Sequence, residues 1–385
     1  MILEYGFKNF FSFKEMSTIS FRFDSNVPSF ISKDKEASSL IGIKGGNASG
    51  KTNIIKALTF LSYFINSSSN MKPEDTLPIK SFFDDKSSPS EFYIDFKIKE
   101  TYYKYELSIS SGKVVSEKLS KKVKKMLPFI ERNYDEITYS RKDLAHLKEI
   151  KLNSNASFVS TFSKFKTFSE LEDLSTIYGF FDTVLSNVSP ASGLLSKNVD
   201  YREISQLYGQ DSKIFGFAKE LIKKSDVGVL DISISEDTNE KGQPYFYPVF
   251  HHTHEGKNFS LKYADESSGT KQLYIFLALY WLVLEQGGVL ALDEFDVHLH
   301  SLLLPGILNM FEDENINKLG AQFIFTSHNT EIIDTLGKYR TVLVNKEENE
   351  SYCYRLDEIP GSIIRNDRPI SPIYIKGKIG GVPRI

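Results

Sequence analysis

The chain has 385 residues, 41% hydrophobic and 25% charged, with a formal net charge of −3. That length supports one large domain or two smaller ones around a real core, and the slight acidic balance excludes a generally basic nucleic-acid coat. Cys353 is the single cysteine, which excludes an internal disulfide framework and a thiolate metal cluster and points to a reducing cytoplasm. Met1-Ile2-Leu3-Glu4-Tyr5 lacks the charged-then-apolar pattern of a signal peptide. The most apolar long stretch, Leu273 to Leu284, is too short to cross a bilayer and reads as a buried helix. A soluble cytoplasmic protein without a membrane partner is expected.

In chain order, Phe7 to Phe13 and Ser17 to Phe23 alternate like a β-hairpin. Leu40-Ile41-Gly42-Ile43 reads as a short buried strand. It leads into Gly45-Gly46-Asn47-Ala48-Ser49-Gly50-Lys51-Thr52, a glycine, four residues, then Gly-Lys-Thr. Asn53 follows, and Ile54-Ile55-Lys56-Ala57-Leu58 continues as an apolar-periodic helix. Strand, glycine loop and helix are the context a phosphate-binding loop requires. The glycines let backbone amides curl around phosphate oxygens at the positive end of a helix. In such a loop Lys51 would neutralise β- and γ-phosphates and the Thr52 hydroxyl would bind Mg²⁺. The bland alternative is a glycine-rich turn that matches by accident.

Residues 92–98 and 102–110 repeat the strand alternation, with Ser111-Gly112 as a turn. From about residue 115 to 260 the texture becomes charged and amphipathic, as in Glu170 to Tyr178 and Tyr201 to Lys223, and predicts a mostly helical insertion with polar flanks such as residues 236–242. No heptad pattern runs through residues 60–260. A long apolar helix then precedes three runs of buried-strand type, Val289 to Leu292, Phe323 to Thr326 and Thr341 to Val344. The predicted fold is α/β, a mixed sheet around the phosphate loop with an antiparallel β edge. Its parts are residues 1–114 with the loop, the helical lobe 115–262, and the C-terminal part 263–385.

Three further segments carry chemistry. Val289-Leu290-Ala291-Leu292 ends in Asp293-Glu294. Asp293 at a strand tip can hold Mg²⁺, and Glu294 can polarise the water that attacks a γ-phosphate; alternatively this is an ordinary acidic turn. Asp265 to Gln272, with Ser267, Ser268 and Gly269, places small hydroxyl residues at a helix N-terminus, either an anion-receiving site or a plain serine cap. Ser327-His328 closes the run Phe323 to Thr326, and a histidine there is either structural or a phosphate contact.

Phosphate loop, Ser-Ser-Gly, apolar-Asp-Glu and Ser-His, in that order, resemble the ABC-type ATPases of the SMC/RecF branch. Among these are the short bacterial AAA ATPases of anti-phage systems of the OLD-like and PARIS kind. Asn9-Phe10-Phe11-Ser12-Phe13 resembles their first-strand NFxSF, and Gly377 to Ile385 their closing GxxGxxPxI. The resemblance implies ATP and Mg²⁺, with Gly45 to Asn53 lining the nucleotide loop and Thr52 and Asp293 on the metal. It implies Glu294 as catalytic carboxylate and His328 as switch histidine. Ser267, Ser268 and Gly269 would meet the γ-phosphate of a nucleotide held by another subunit. Asp296 falls where such proteins place an intersubunit loop, and His300 matches a DE…LH extension. The signature reads Glu266-Ser267-Ser268-Gly269 instead of the transporter Leu-Ser-Gly-Gly.

Two weaker signals remain. His251-His252-Thr253-His254-Glu255 could hold a metal but fits a strand-to-turn edge better; His298 and His300 near Asp293 could also ligate a metal, but their place beside the Asp-Glu pair favours an intersubunit role. Lys118, Lys121, Lys122, Lys124 and Lys125 read as a solvated helix face, with nucleic acid as the alternative. The implied function is an ATP-hydrolysing switch. It works as a homodimer or higher homo-oligomer, its two half-sites closing on ATP to control a separate effector, such as a nuclease, in anti-phage defence. A RecF-like DNA-binding repair ATPase and a non-hydrolysing scaffold are the alternatives.

Overall fold

The computed structural model describes residues 1–190, 193–194, 200–239, 242–297 and 299–382. Its floor is a six-stranded sheet in the order Glu350–Arg355, Thr341–Glu347, Leu40–Gly45, Gln322–Thr326, Val289–Leu292 and Val184–Ser186. All neighbours run parallel except the first pair. The apolar runs are continuous because both faces are covered. Ile41, Ile43, Val289, Ala291 and Ile324 enter one core, while Leu40, Leu290, Leu292, Phe323 and Phe325 enter another.

The first core lies between this sheet and an antiparallel one, and the helix Lys51–Ser67 runs through it. The antiparallel sheet has seven strands in the order Ser17–Ser20, Ile2–Lys8, Ser90–Ile98, Thr101–Ser110, Lys113–Lys122, Met126–Asn133 and Glu136–Ser140. The second core is closed by the helices Ser212–Ser225, Ser268–Gln286 and Leu304–Glu312. No helix among the described residues is long and apolar enough to cross a membrane.

Two expectations for residues 115–262 need correction. The span opens with strands of the antiparallel sheet, up to Ser140, and it closes with a three-stranded sheet, Val229–Thr238, Pro244–His254 and Lys257–Lys262. Its helices, Phe158–Phe162, Glu172–Asp182, Tyr201–Gln210 and Ser212–Ser225, lie between. The lysine run is therefore a hairpin and not a helix face. Lys118 pairs with Glu131 at 2.9 Å and Lys121 with Asp173 at 2.7 Å. Cross-strand pairing supplies what the local pattern hides, because a register shift after Leu119 interrupts the alternation.

Gln322 ties the two large sheets together. Its side chain is buried, donates from Nε2 to the carbonyls of Ile2 (2.9 Å) and Ser38 (3.0 Å), and accepts the Ile2 amide at Oε1. Gln322→Leu would keep the bulk and strand these groups, so unfolding in urea should show a loss of about 2–4 kcal/mol. A loss below about 0.5 kcal/mol would mean that the sheets are held by apolar packing alone.

Candidate functional site

The strand Leu40–Gly45, paired on both sides, delivers the glycine loop to the C-terminal ends of the parallel strands, where the helix Lys51–Ser67 begins. Gly50 has φ +112°, and a Cβ there would come within 2.8 Å of Ser351 Oγ. At Gly45 a Cβ would lie 2.5 Å from the Val344 carbonyl. Both glycines of the Gly-x₄-Gly spacing are thus needed by backbone conformation or close approach. Lys51 curls back so that Nζ donates to the carbonyls of Gly45 and Gly46, each at 3.0 Å, and burial lowers its pKa. Ser49 Oγ is buried in the loop with no hydrogen-bond partner.

Asp293, at the tip of Val289–Leu292, is 2% exposed. Its Oδ2 accepts the Thr52 hydroxyl at 2.6 Å and its Oδ1 the Thr326 hydroxyl. Asn187 brackets its backbone, accepting the Asp293 amide at 2.8 Å and donating to its carbonyl at 2.9 Å. The chain then turns sharply. Glu294 has φ +51°, a conformation that costs a non-glycine residue on the order of 1–3 kcal/mol, and its amide donates to Thr326 Oγ1 at 2.7 Å. The turn leaves the Glu294 side chain half-exposed, with His328 Nε2 3.4 Å from its Oε1. Asp296 accepts from the Ser327 hydroxyl (2.9 Å) and the amides of His328 (3.0 Å) and Asn329 (2.8 Å). It holds the histidine loop of its own chain.

These groups enclose a cleft of about 520 Å³ lined by Ser12, residues 47–53, Asp293, Glu294, His328 and Lys346. Gly45 and Gly46 line a neighbouring cavity that shares Asn47 and His328 with it. The signature residues are not in the cleft. Ser267 caps the helix Ser268–Gln286, accepting the Thr270 amide at 3.1 Å, and both Ser267 and Ser268 are exposed. Sequence reasoning missed Thr326, Asn187 and Lys346 as members of the site. Ser12 lay in the quoted Asn9–Phe13 motif, the one signal that could have found it.

The histidine cluster is accounted for by other partners. His252 lies 2.6 Å from Glu266, and His251 contacts Ser233 and Ser260. The turn after this strand passes through Glu255 and Gly256, both with positive φ. His300 caps the turn Ser301–Leu303. His298 and residues 383–385 of the closing motif lie outside the described residues.

Residues 40–334 match a family model described as an AAA domain, putative AbiEii toxin, type IV TA system. The chain belongs to this AAA family. Its motifs, in their chain order and around this sheet, resemble those of ABC-type ATPases of the SMC/RecF branch. Among solved structures it is similar to the SMC head domain from Thermotoga maritima, at 14% identity over 92% of this chain and 98% of that one, with a TM-score of 0.43. It is also similar to an SMC head bound to the C-terminal winged-helix domain of ScpA, at 14% identity over 92% and 96%, with a TM-score of 0.46. No curated protein matches.

In this AAA-family head Thr326 is fully buried and serves Asp293 and Glu294 at once. Thr326→Val preserves the shape and removes both bonds, so stability in urea should fall by about 1–3 kcal/mol. A denaturation curve equal to the parent's would mean that Asp293 is held by Thr52 and Asn187 alone.

Proposed function

We propose that the cleft binds ATP and hydrolyses it to ADP and phosphate. The observation that carries this reading is the convergence of Lys51, Thr52, Asp293, Glu294 and His328, from three strand ends, on one cleft that the glycine loop lines. Lys51 is parked on two loop carbonyls and is free to exchange them for phosphate oxygens, which would also supply a partner for Ser49 Oγ. The Thr52 hydroxyl and the Asp293 carboxylate, 2.6 Å apart, are hard oxygen donors that suit Mg²⁺. When bound, that ion would neutralise charge on the β- and γ-phosphates. Glu294 is placed to orient the attacking water and take its proton as the γ-phosphorus–oxygen bond to ADP breaks. His328, beside it, is placed to donate a hydrogen bond to the γ-phosphate. A second cavity of about 370 Å³ shares Ser12, Asn53 and Lys346 with the cleft and adds Phe11, Phe82 and Phe83, a wall that fits a purine base.

The signature caps a helix outside the cleft, so in this reading it serves a nucleotide held by a second copy of the chain, and two copies close on two ATP molecules. Closure works as a switch on a separate effector in a defence setting, to which the family description as a putative toxin of a type IV TA system lends support. The engagement of Lys118 and Lys121 by acidic partners weakens the alternative in which this run meets DNA.

Glu294→Gln should bind ATP within about threefold of the parent yet turn it over at least about a hundredfold more slowly. Calorimetry and a phosphate-release assay check this, and parental turnover would place the catalytic carboxylate elsewhere.

The composite site has its own test. Neither Ser267→Arg nor Lys51→Ala should hydrolyse ATP alone, whereas an equimolar mixture can assemble one intact site and should recover part of the activity. Full activity of Ser267→Arg at high dilution would exclude a shared site.

A further inference from the structure

Lys44, the penultimate residue of the strand Leu40–Gly45, is 2% exposed. Its ammonium donates to the carbonyls of Ser327 at 2.8 Å and Asn329 at 3.0 Å, which flank His328. The amides of His328 and Asn329 point the other way, into Asp296. The histidine loop is thus gripped by a cation on its carbonyls and an anion on its amides.

Burying an ammonium is expensive, and the positions on the same face of this strand, Leu40 and Gly42, carry no charge, with Leu40 in the second core. An apolar side chain at 44 would satisfy packing, so the lysine answers a different demand. Its two carbonyl partners both belong to the histidine loop. The next residue, Gly45, accepts the bond from Lys51. One peptide unit therefore separates the hold on the phosphate loop from the hold on the histidine loop.

We propose that Lys44 is a positioning residue for ATP turnover, keeping the His328 loop in register with the phosphate loop so that the imidazole stays beside Glu294. This rests on the reading of the cleft as an ATP-hydrolysing site. The hold matters for hydrolysis and little for nucleotide binding, because Lys44 lines the neighbouring cavity and not the cleft. Burial lowers its pKa to about 8, with Asp296 opposing the fall and Lys51 adding to it. The Tyr374 ring lies 5.9 Å from the ammonium, and His328 and Lys376 line the cavity it faces. Above that pH the amine is neutral and the grip loses its charge-assisted strength.

The test compares the full chain with Lys44→Met, Lys44→Arg, His328→Ala and the Lys44→Met/His328→Ala double variant. Steady-state ATP turnover and equilibrium binding of a fluorescent ATP analogue are measured from about pH 6.5 to about pH 9.5. Lys44→Met should lose about ten- to a hundredfold in kcat while analogue affinity stays within about threefold. Lys44→Arg should recover part of the rate, because a guanidinium offers several donors to the same carbonyls. Parental turnover should decline as pH rises through about 8, and Lys44→Arg should move that decline upward. In the His328→Ala background the methionine should cost less than about threefold more, since it acts through the histidine. Parental turnover by Lys44→Met, or an equal loss with His328 already removed, overturns the proposal. Should Lys44→Met fail to fold, an alkaline decline unmoved by arginine overturns it. A parent chain that binds ATP and never hydrolyses it overturns the reading beneath the proposal instead.

Discussion

The architecture of the site depends on one buried carboxyl group. Asp293 is 2% exposed, and a carboxyl so far from water is tolerated only when its oxygens are hydrogen-bonded. Thr52 supplies one bond from the first turn of the phosphate-loop helix and Thr326 the other from the end of the neighbouring strand. Three segments far apart in the chain are thereby fixed at one point. Asn187 then fixes the backbone on both sides of the carboxylate.

The consequence appears one residue later. With Asp293 pinned and the Glu294 amide tied to Thr326, the chain reaches Phe295 through a left-handed turn at Glu294. Phe295 drops into the second core while the Glu294 carboxylate swings into the cleft. Strain at this position serves the orientation of one side chain. Its partner His328 is set by a loop whose amides and carbonyls are both engaged, so the two groups face each other from rigid supports.

Those supports are stiff because the parallel sheet is covered on both faces. The side chains of Leu40–Gly45, Gln322–Thr326 and Val289–Leu292 alternate between two cores, so none of these strands can slip by one residue without exchanging the two sets. Gln322, at the start of the strand that ends in Thr326, also bonds the strand Ile2–Lys8 of the antiparallel sheet. The helix Ser268–Gln286 belongs to the second core, and Ser267 at its start is not among the residues lining the cleft.

The sequence by itself determined whatever depends on neighbouring residues. The glycine loop between strand and helix, the strands Val289–Leu292 and Gln322–Thr326, and the apolar helix after residue 267 were legible because glycine geometry and continuous apolar runs act within a few residues. The strands over 113–140 were not, since lysines and register shifts disguise an alternation that only their pairing with Thr101–Ser110 and with one another resolves. Asn187 and Thr326 carry no local mark either, being an ordinary asparagine and the last residue of a strand. Asp296 holds the histidine loop of its own chain, a contact that its sequence neighbours do not mark. Only the tertiary structure decided the roles of Asn187, Thr326 and Asp296, because they exist through hydrogen bonds between residues 31 to 106 positions apart, and Thr52 meets Asp293 across 241 positions. Which donor meets which carboxylate is settled by how the strands stack side by side, a question of packing that no short window of sequence contains.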